Sequence, residues 1–275
     1  MQGNTRVGPT ALYTAQAWRA GSFENAEHFD HRLGRLMYTA GDMVQKYLGP
    51  VLPTYMKDFH RYLFIRHRAF EERLDATVPD MVIEVAAGLS PRGLTYARRW
   101  ARTRYLELDL PNMVAAKRKR LQSLRLPPNY HLAETDILAR DFIERLPLKP
   151  TPDQTLMVIT EGLMDYLNMA EKQRAWENIV ALMKMAAPDS RYLMECWPRQ
   201  RVLPASPAGR LGVKGVSMLV GRRVDENLHE NRKEAEAALR QAGFATVSRP
   251  DLVSPLRDAG LDPHACPFVL FECGV

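Results

Sequence analysis

Acidic residues recur where strand-like stretches end, and a turn of small residues precedes them. The stretch "VIEVAAGLSPRGL" reads as a strand, a turn and a helix, with Ala86, Ala87 and Gly88 at the turn. A dinucleotide needs several glycines in such a turn, so that backbone can approach a pyrophosphate. One glycine among alanines suits a ligand without phosphates. Asp109, in "YLELDLP", follows Gly88 by 21 residues, close to the spacing at which a carboxylate accepts hydrogen bonds from both ribose hydroxyls. Glu107 shares its strand face and lies deeper. Asp136 in "ETDI" can accept from an adenine amino group, with Ile137 beside it for backbone and apolar contact, and Glu161 in "TEGLMDYL" reaches the same rim. Singly, an aspartate at a strand end is as often a helix N-cap. Together with the small turn they describe a pocket for a nucleoside that carries a positive charge.

Alternating elements must hold these residues. From residue 80 onward "MVIEVAAG", "RYLELDLP", "YHLAETDI", "TLMVITEGL" and "RYLMECWP" read as strands, with "GLTYARRWARTR", "NMVAAKRKRLQSL" and "MAEKQRAWENIVALMKMA" as helices between them. Such alternation predicts an α/β fold with a mostly parallel, Rossmann-like sheet and helices on both faces. "FATVSRP" and "PFVLFECG" bring the strands to seven. The loop joining these last two permits an antiparallel edge strand at the C-terminal end. Residues 1–79 carry helical patterns, including "NAEHFDHRLGRLMYTAGDMVQKYL", and are expected to form a helical cap on a core of residues 80–275. Residues 198–235, rich in Pro, Gly and Arg at the start, are expected to be a lid insertion, because long inserts in α/β domains are usually functional.

Composition narrows the classes. The 275 residues are 46% apolar with a net charge of +6, and neither a signal peptide nor a membrane span is indicated. A soluble, cytoplasmic protein is expected, with no membrane partner. Cys196, Cys266 and Cys273 have no C-x-x-C spacing, which fits buried thiols in a reducing compartment. The basic run "KRKR" at Lys117–Arg120 surrounds a helix axis instead of forming one phosphate-facing stripe. It reads as a solvated helix, and nucleic acid is not expected as a partner. His28 and His31 lie three apart on one expected helix, a conceivable metal half-site for which no third ligand of matching spacing follows. A solvated face is the plainer reading, and no metal is expected.

"IEVAAGLSPRGL", "LELDLPNMVAAKRKRL", "ETDI" and "ITEGLMDYL", in that order and separation, resemble the leucine carboxyl methyltransferase-like family of S-adenosylmethionine-dependent methyltransferases, including its bacterial polyketide O-methyltransferase branch. The resemblance covers roughly residues 60 to 195 well and the C-terminal portion loosely. It implies a seven-stranded methyltransferase sheet with a helical cap and S-adenosylmethionine as cofactor, a ligand of the kind the acidic rim suits. The family's cofactor contacts fall on Gly88, Asp109, Asp136, Ile137 and Glu161, with Glu84, Ala86, Leu110 and Gly162 beside them. An arginine that reaches the methionine carboxylate falls on Arg66 in "FIRHRAFEERL", with Arg68 second. The family's usual "LGAG" turn reads "VAAG" here, the first glycine replaced by Ala86.

The resemblance also implies an enzyme, an O-methyltransferase whose acceptor is a carboxylate of a small, polyketide-like molecule. A carboxylate is ionised at neutral pH and needs no general base. Tyr166 and Arg199 are candidate acceptor contacts, and Arg201 and Arg210 offer further cations. A phenolic hydroxyl of a secondary metabolite is the alternative acceptor. A cofactor- or nucleic-acid-binding protein without catalysis is the alternative class, and salt-sensitive binding would mark the latter.

Overall fold

The structure is a computed structural model and describes residues 8–48, 54–203, 214 and 224–275. All seven expected stretches form strands: β1 (Met81–Val85), β2 (Arg104–Asp109), β3 (Tyr130–Glu134), β4 (Leu156–Thr160), β5 (Arg191–Cys196), β6 (Thr246–Ser248) and β7 (Val269–Gly274). They build one sheet in the order β3-β2-β1-β4-β5-β7-β6. Strands β1 to β5 are parallel, and β7 runs antiparallel to both β5 and β6. The antiparallel strand is therefore internal, which corrects the expected edge placement. Physical chemistry explains it: "VLFEC" in β7 is apolar enough to be buried on both sides, whereas β6 is largely exposed and takes the edge.

Side-chain alternation along the buried strands feeds two cores. Ile83, Val85, Val158 and Met194 pack against Trp176 and Ile179 of α7 (Met169–Met183) and Leu239 of α10 (Arg232–Gln241). Val82, Tyr105, Met157 and Leu193 face the other way. They meet Phe70 and Leu74 of α4 (Phe59–Thr77), Leu94 of α5 (Arg92–Arg99) and Met113 of α6 (Pro111–Leu121). A reciprocal capping box starts α7: the Asn168 side chain accepts from the Glu171 N–H, and the Glu171 carboxylate accepts from the Asn168 N–H, each at 2.9 Å.

The described residues before β1 are mostly helical, in α1 (Pro9–Ala20), α2 (Arg32–Leu48), α3 (Thr54–Lys57) and α4. One expected helix is broken, however. His28 belongs to a short 3-10 turn (Ala26–Phe29), and Asp30 leaves helical backbone at φ −58°, ψ 142° before α2 begins. The Asp30 carboxylate accepts from Arg35 at 2.9 Å and also pairs with Arg19, fixing the corner. His28 and His31 therefore do not share a helix face. The basic run also departs from its solvated reading: Lys117 is buried, 2.5 Å from the buried carboxylate of Glu107. Helical rotation points that one cation at the sheet while Arg118 stays exposed.

Of the expected lid, residues 204–213 and 215–223 lie outside the described residues, Arg210 among them. The helices α8 (Arg199–Val202) and α9 (Val224–Asn227) flank them. Helix α10 starts at Arg232, where the Asn231 side chain accepts from the Glu234 N–H at 3.1 Å. The last residues of the 198–235 span thus belong to the helix that leads to β6. A short helix, α11 (Val253–Asp258), lies between β6 and β7.

Candidate active site

The sheet order reverses between β1 and β4, and in an open α/β sheet a ligand crevice forms beyond the strand ends at that point. After β1 the chain turns through two left-handed residues, Ala86 at φ 56° and Gly88 at φ 55°. The Gly88 N–H donates to Asp109 Oδ2 at 2.7 Å, and the Leu110 N–H donates to Oδ1 of the same carboxylate at 2.7 Å. Each carboxylate oxygen keeps further lone-pair capacity for a ligand hydroxyl. Burial pushes the Asp109 carboxyl up, against these two N–H donors. Asp109 is not itself the N-cap of α6, which is Leu110.

Beyond Gly88 there is room. Among the described residues a Cβ there would meet only Ala11 Cβ at 3.7 Å and the Ala86 carbonyl at 4.0 Å, so α1 lies across the turn at contact distance. Gly93 is different: a Cβ on it would overlap the Glu107 carboxylate. Helix α5 can approach β2 only through that glycine.

At the end of β3, Asp136 Oδ1 accepts from the Leu138 N–H at 2.9 Å, while Ile137 is buried and its carbonyl accepts from Asn178 at 2.6 Å. The adenine-side candidates are therefore held by α7 as well as by their own turn.

Glu161, just after β4, is the hub of a buried ionic network. Arg66 Nε donates to Oε1 at 2.9 Å, His67 Nδ1 lies 2.9 Å from Oε2, and Arg92 also donates to Oε2. Burial opposes the charge of Glu161, but Arg92 and Arg66 outweigh it and hold the carboxyl well below its ordinary range. Arg92 also donates to Glu84 at 2.7 Å, and Glu84 accepts the Tyr105 hydroxyl at 2.5 Å. Glu84 thus sits under the rim as a buried anchor for Arg92. Burial lowers His67 to about 4, with Arg92 adding to the shift, so its imidazole is neutral. Arg66 Nη1 donates to Glu195 Oε1 at 3.1 Å, and the Gly162 N–H donates to the same oxygen at 2.7 Å. Arg68, the second choice for the arginine, is exposed beside Phe23.

The strand ends bring together Ala86, Gly88, Asp109, Asp136, Glu161 and Gly162, all but the buried Glu161 carboxylate partly open to solvent, while Leu110 stands exposed beside Asp109. Tyr166 follows closely, with the Thr10 side chain of α1 near it, and burial pushes its hydroxyl up. Arg199 is not drawn into this group: its Nε lies 3.9 Å from Glu230, at the surface. Arg201 donates to the carbonyls of Cys266 and Phe268 at 3.0 and 3.1 Å.

Sequence patterns do not single out His67 or Arg92. Glu84 and Glu195 do carry a signal, since each interrupts an apolar strand, and a buried carboxylate requires a cationic or hydrogen-bonding partner. The partner itself is not legible from spacing.

A nucleoside with an amino-acid tail fits this rim. Acceptors stand at the ends of β2 and β3, and among the described residues the turn after β1 is open above Gly88 and the buried Glu195 Oε2, beside Arg66, has no hydrogen-bond partner. Solved structures share the fold. PigF, determined with SAH, superposes with a TM-score of 0.52 at 15% identity over 97% of this chain and 68% of its own. SibL, an S-adenosylmethionine-dependent methyltransferase, gives 0.54 at 15% identity over 97% and 69%. An O-methyltransferase family protein from Burkholderia thailandensis gives 0.51 at 16% identity over 90% and 70%. Curated proteins gave no match. The family model described as leucine carboxyl methyltransferase matches residues 20–180, which hold every rim residue from Arg66 to Tyr166. With more than half its length matched and the rim carried on the methyltransferase sheet, this chain belongs to the leucine carboxyl methyltransferase family of S-adenosylmethionine-dependent methyltransferases.

Proposed function

We propose that the protein methylates an oxygen of a small, polyketide-like molecule, and that this oxygen belongs to a carboxylate. The observation that carries the acceptor reading is the aromatic wall beside the Arg66 end of the rim. Trp197 lies under the Arg66 guanidinium and is partly exposed, as is Phe59 at 5.9 Å between ring centroids, while the buried Phe268 backs Trp197 at 5.7 Å. Such a wall suits a planar apolar body, and a carboxylate on it needs no base.

S-adenosylmethionine supplies an electrophilic methyl on a sulfonium, for in-line displacement. The chain's own residues bind and orient. Asp109 accepts from the ribose, Asp136 and Ile137 face the adenine, and the Gly88 turn, with Ala86, lets the tail pass close to backbone. Arg66, braced by Glu161 and Glu195, takes the methionine carboxylate, with Gly162 alongside and Glu84 bracing through Arg92. Tyr166 lines the acceptor side.

Residues 1–79 act in this reading as a cap, since in α1 Thr10 lies near Tyr166 and Ala11 approaches the Gly88 turn. Residues 198–235 complete it as a lid, and Arg199 reaches the acceptor only if it leaves Glu230. Closure of both would exclude water from the transfer. We place the protein in the cytoplasm, which suits three free, buried thiols; among the described residues no helix is long and apolar enough to cross a membrane.

Mass spectrometry of metabolite extracts incubated with labelled cofactor would identify the product, and mild alkali then tests the bond. A labile methyl ester supports the carboxylate, and an alkali-stable aryl ether establishes the second reading, a phenolic hydroxyl, which the same aromatic wall would also suit. No labelled product from any oxygen acceptor would refute both.

A further inference from the structure

Around Arg66 the buried charges do not balance. Among the described residues three carboxylates, Glu84, Glu161 and Glu195, share two guanidinium groups, Arg66 and Arg92. Glu84 has both oxygens engaged, by Arg92 and by the Tyr105 hydroxyl. Glu161 holds Arg66, Arg92 and His67. Glu195 is the odd member: Oε1 accepts from Gly162 and Arg66, while Oε2 is buried, on a residue only 3% exposed, with no hydrogen-bond partner among the described residues.

A carboxylate oxygen at that depth requires a cation or a proton. Burial pushes Glu195 up to about 7, against Arg66, and Glu161 and Asp165 add to the rise. Arg66 offers the opposite vacancy in bonding. Its Nε and Nη1 serve Glu161 and Glu195, and its Nη2 lies beside Gly162. One ion pair thus presents a donor at one end and an acceptor at the other, which complements the carboxylate and ammonium of an α-amino acid.

We propose that Glu195 binds the α-ammonium of the cofactor's methionine portion through Oε2, beside Arg66 on the carboxylate. This rests on the cofactor-binding reading above. Glu195 carries a proton part of the time near neutral pH and must release it to the buffer to accept the ammonium, so binding expels a proton and strengthens as pH rises through 7. The groups facing Glu195 are Arg66 from α4 and Glu161, the Gly162 N–H, Asp165 and Tyr166 from the segment after β4. Glu71 on α4, near His67, is also pushed up to about 7 by burial. It is a second titrating carboxyl close by, so a variant must separate the two.

Calorimetry of S-adenosylhomocysteine binding, in buffers of different ionisation enthalpy between pH 6 and 8, reads the proton directly. The wild type should release a fraction of a proton that grows as pH falls from 8 to 6, and lose affinity by up to about tenfold per pH unit toward the acid end. The analogue lacking the α-amino group should bind at least about tenfold more weakly, the scale of one charge-assisted hydrogen bond. Glu195→Gln should release no proton and should discriminate between the two ligands by less than about threefold. Equal binding of both ligands by the wild type overturns the inference, as does a Gln variant that keeps the wild-type proton release and discrimination. The wild-type comparison decides alone if the variant does not fold. A wild type that binds neither ligand overturns the cofactor reading itself, a result distinct from equal binding of both.

Discussion

The backbone N–H of Gly88 donates to Oδ2 of Asp109 across 2.7 Å, so a carboxylate at the end of β2 carries the turn that follows β1. The second oxygen of the same group takes the Leu110 N–H at the start of α6. One side chain therefore shapes the turn and offers acceptors to a ligand.

Asp109→Ala should weaken S-adenosylhomocysteine binding by about 1.5–3 kcal/mol and lower stability by about 1–3 kcal/mol, because two N–H groups lose their acceptor. Calorimetry and urea denaturation read the two effects separately. Unchanged stability with weakened binding would mean that the turn does not depend on this carboxylate.

Ala86 stands at φ 56°, where an L-residue costs about 1–2 kcal/mol. Ala86→Gly should relieve that cost, offset in part by the greater freedom of the unfolded chain, for a net gain of at most about 1 kcal/mol. A loss of more than about 1 kcal/mol would contradict the left-handed backbone.

Lys117 and Arg118 are neighbours in one basic run and should behave oppositely. Lys117→Met strands the buried carboxylate of Glu107 and should cost about 3–5 kcal/mol. The exposed Arg118→Ala should change stability by no more than about 0.5 kcal/mol. Chemical denaturation of both variants is the check, and equal effects would refute the burial of Lys117.

Arg66→Ala leaves Glu161 and Glu195 facing each other without their shared guanidinium and should destabilise the protein by about 3–5 kcal/mol as well as weaken cofactor binding. Arg66→Lys keeps the charge without the fork, so it should recover most of the stability but only part of the binding. Arg68→Ala should bind normally. Weak binding by Arg68→Ala alone would move the carboxylate contact by two residues.

Two sets of buried groups pull the pH dependence of stability in opposite directions. His60 and His67 are lowered to about 4, by burial above all, so each contributes stability above the unfolded value of 6.5 that is lost as pH falls toward 4. Glu71 and Glu195, raised to about 7 by burial, contribute stability below the unfolded value of 4.5 that is lost as pH rises through 7. Wild-type stability should be nearly flat between about pH 4.5 and 6.5, where the two sets oppose. Glu195→Gln removes one member of the second set, so relative to wild type it should gain stability as pH rises from 4.5 to 7, by at most about 3 kcal/mol. Urea midpoints across that range decide it; a constant difference would refute the raised carboxyl.

The alternation of apolar segments in the sequence determined the seven strands and their helices, because burial period is a local property of the chain. The positions of Gly88, Asp109, Asp136 and Glu161 after successive strand patterns likewise placed them at one edge of the sheet, since parallel strands of similar length all end on the same side. Pairing order was a tertiary decision. Strand β7 lies inside β6 because its more apolar residues gain more from burial on both sides. The ionic network was decided there too: Arg66, Arg92, Glu84, Glu161 and Glu195 come from four different strands and helices and one strand-end turn, and no sequence interval relates them. Lys117 shows the same limit within a single helix, where one residue of a uniform basic run is turned inward by a carboxylate ten positions away on β2. Charge recruits its partner through space and low dielectric, which the order of residues along the chain does not record.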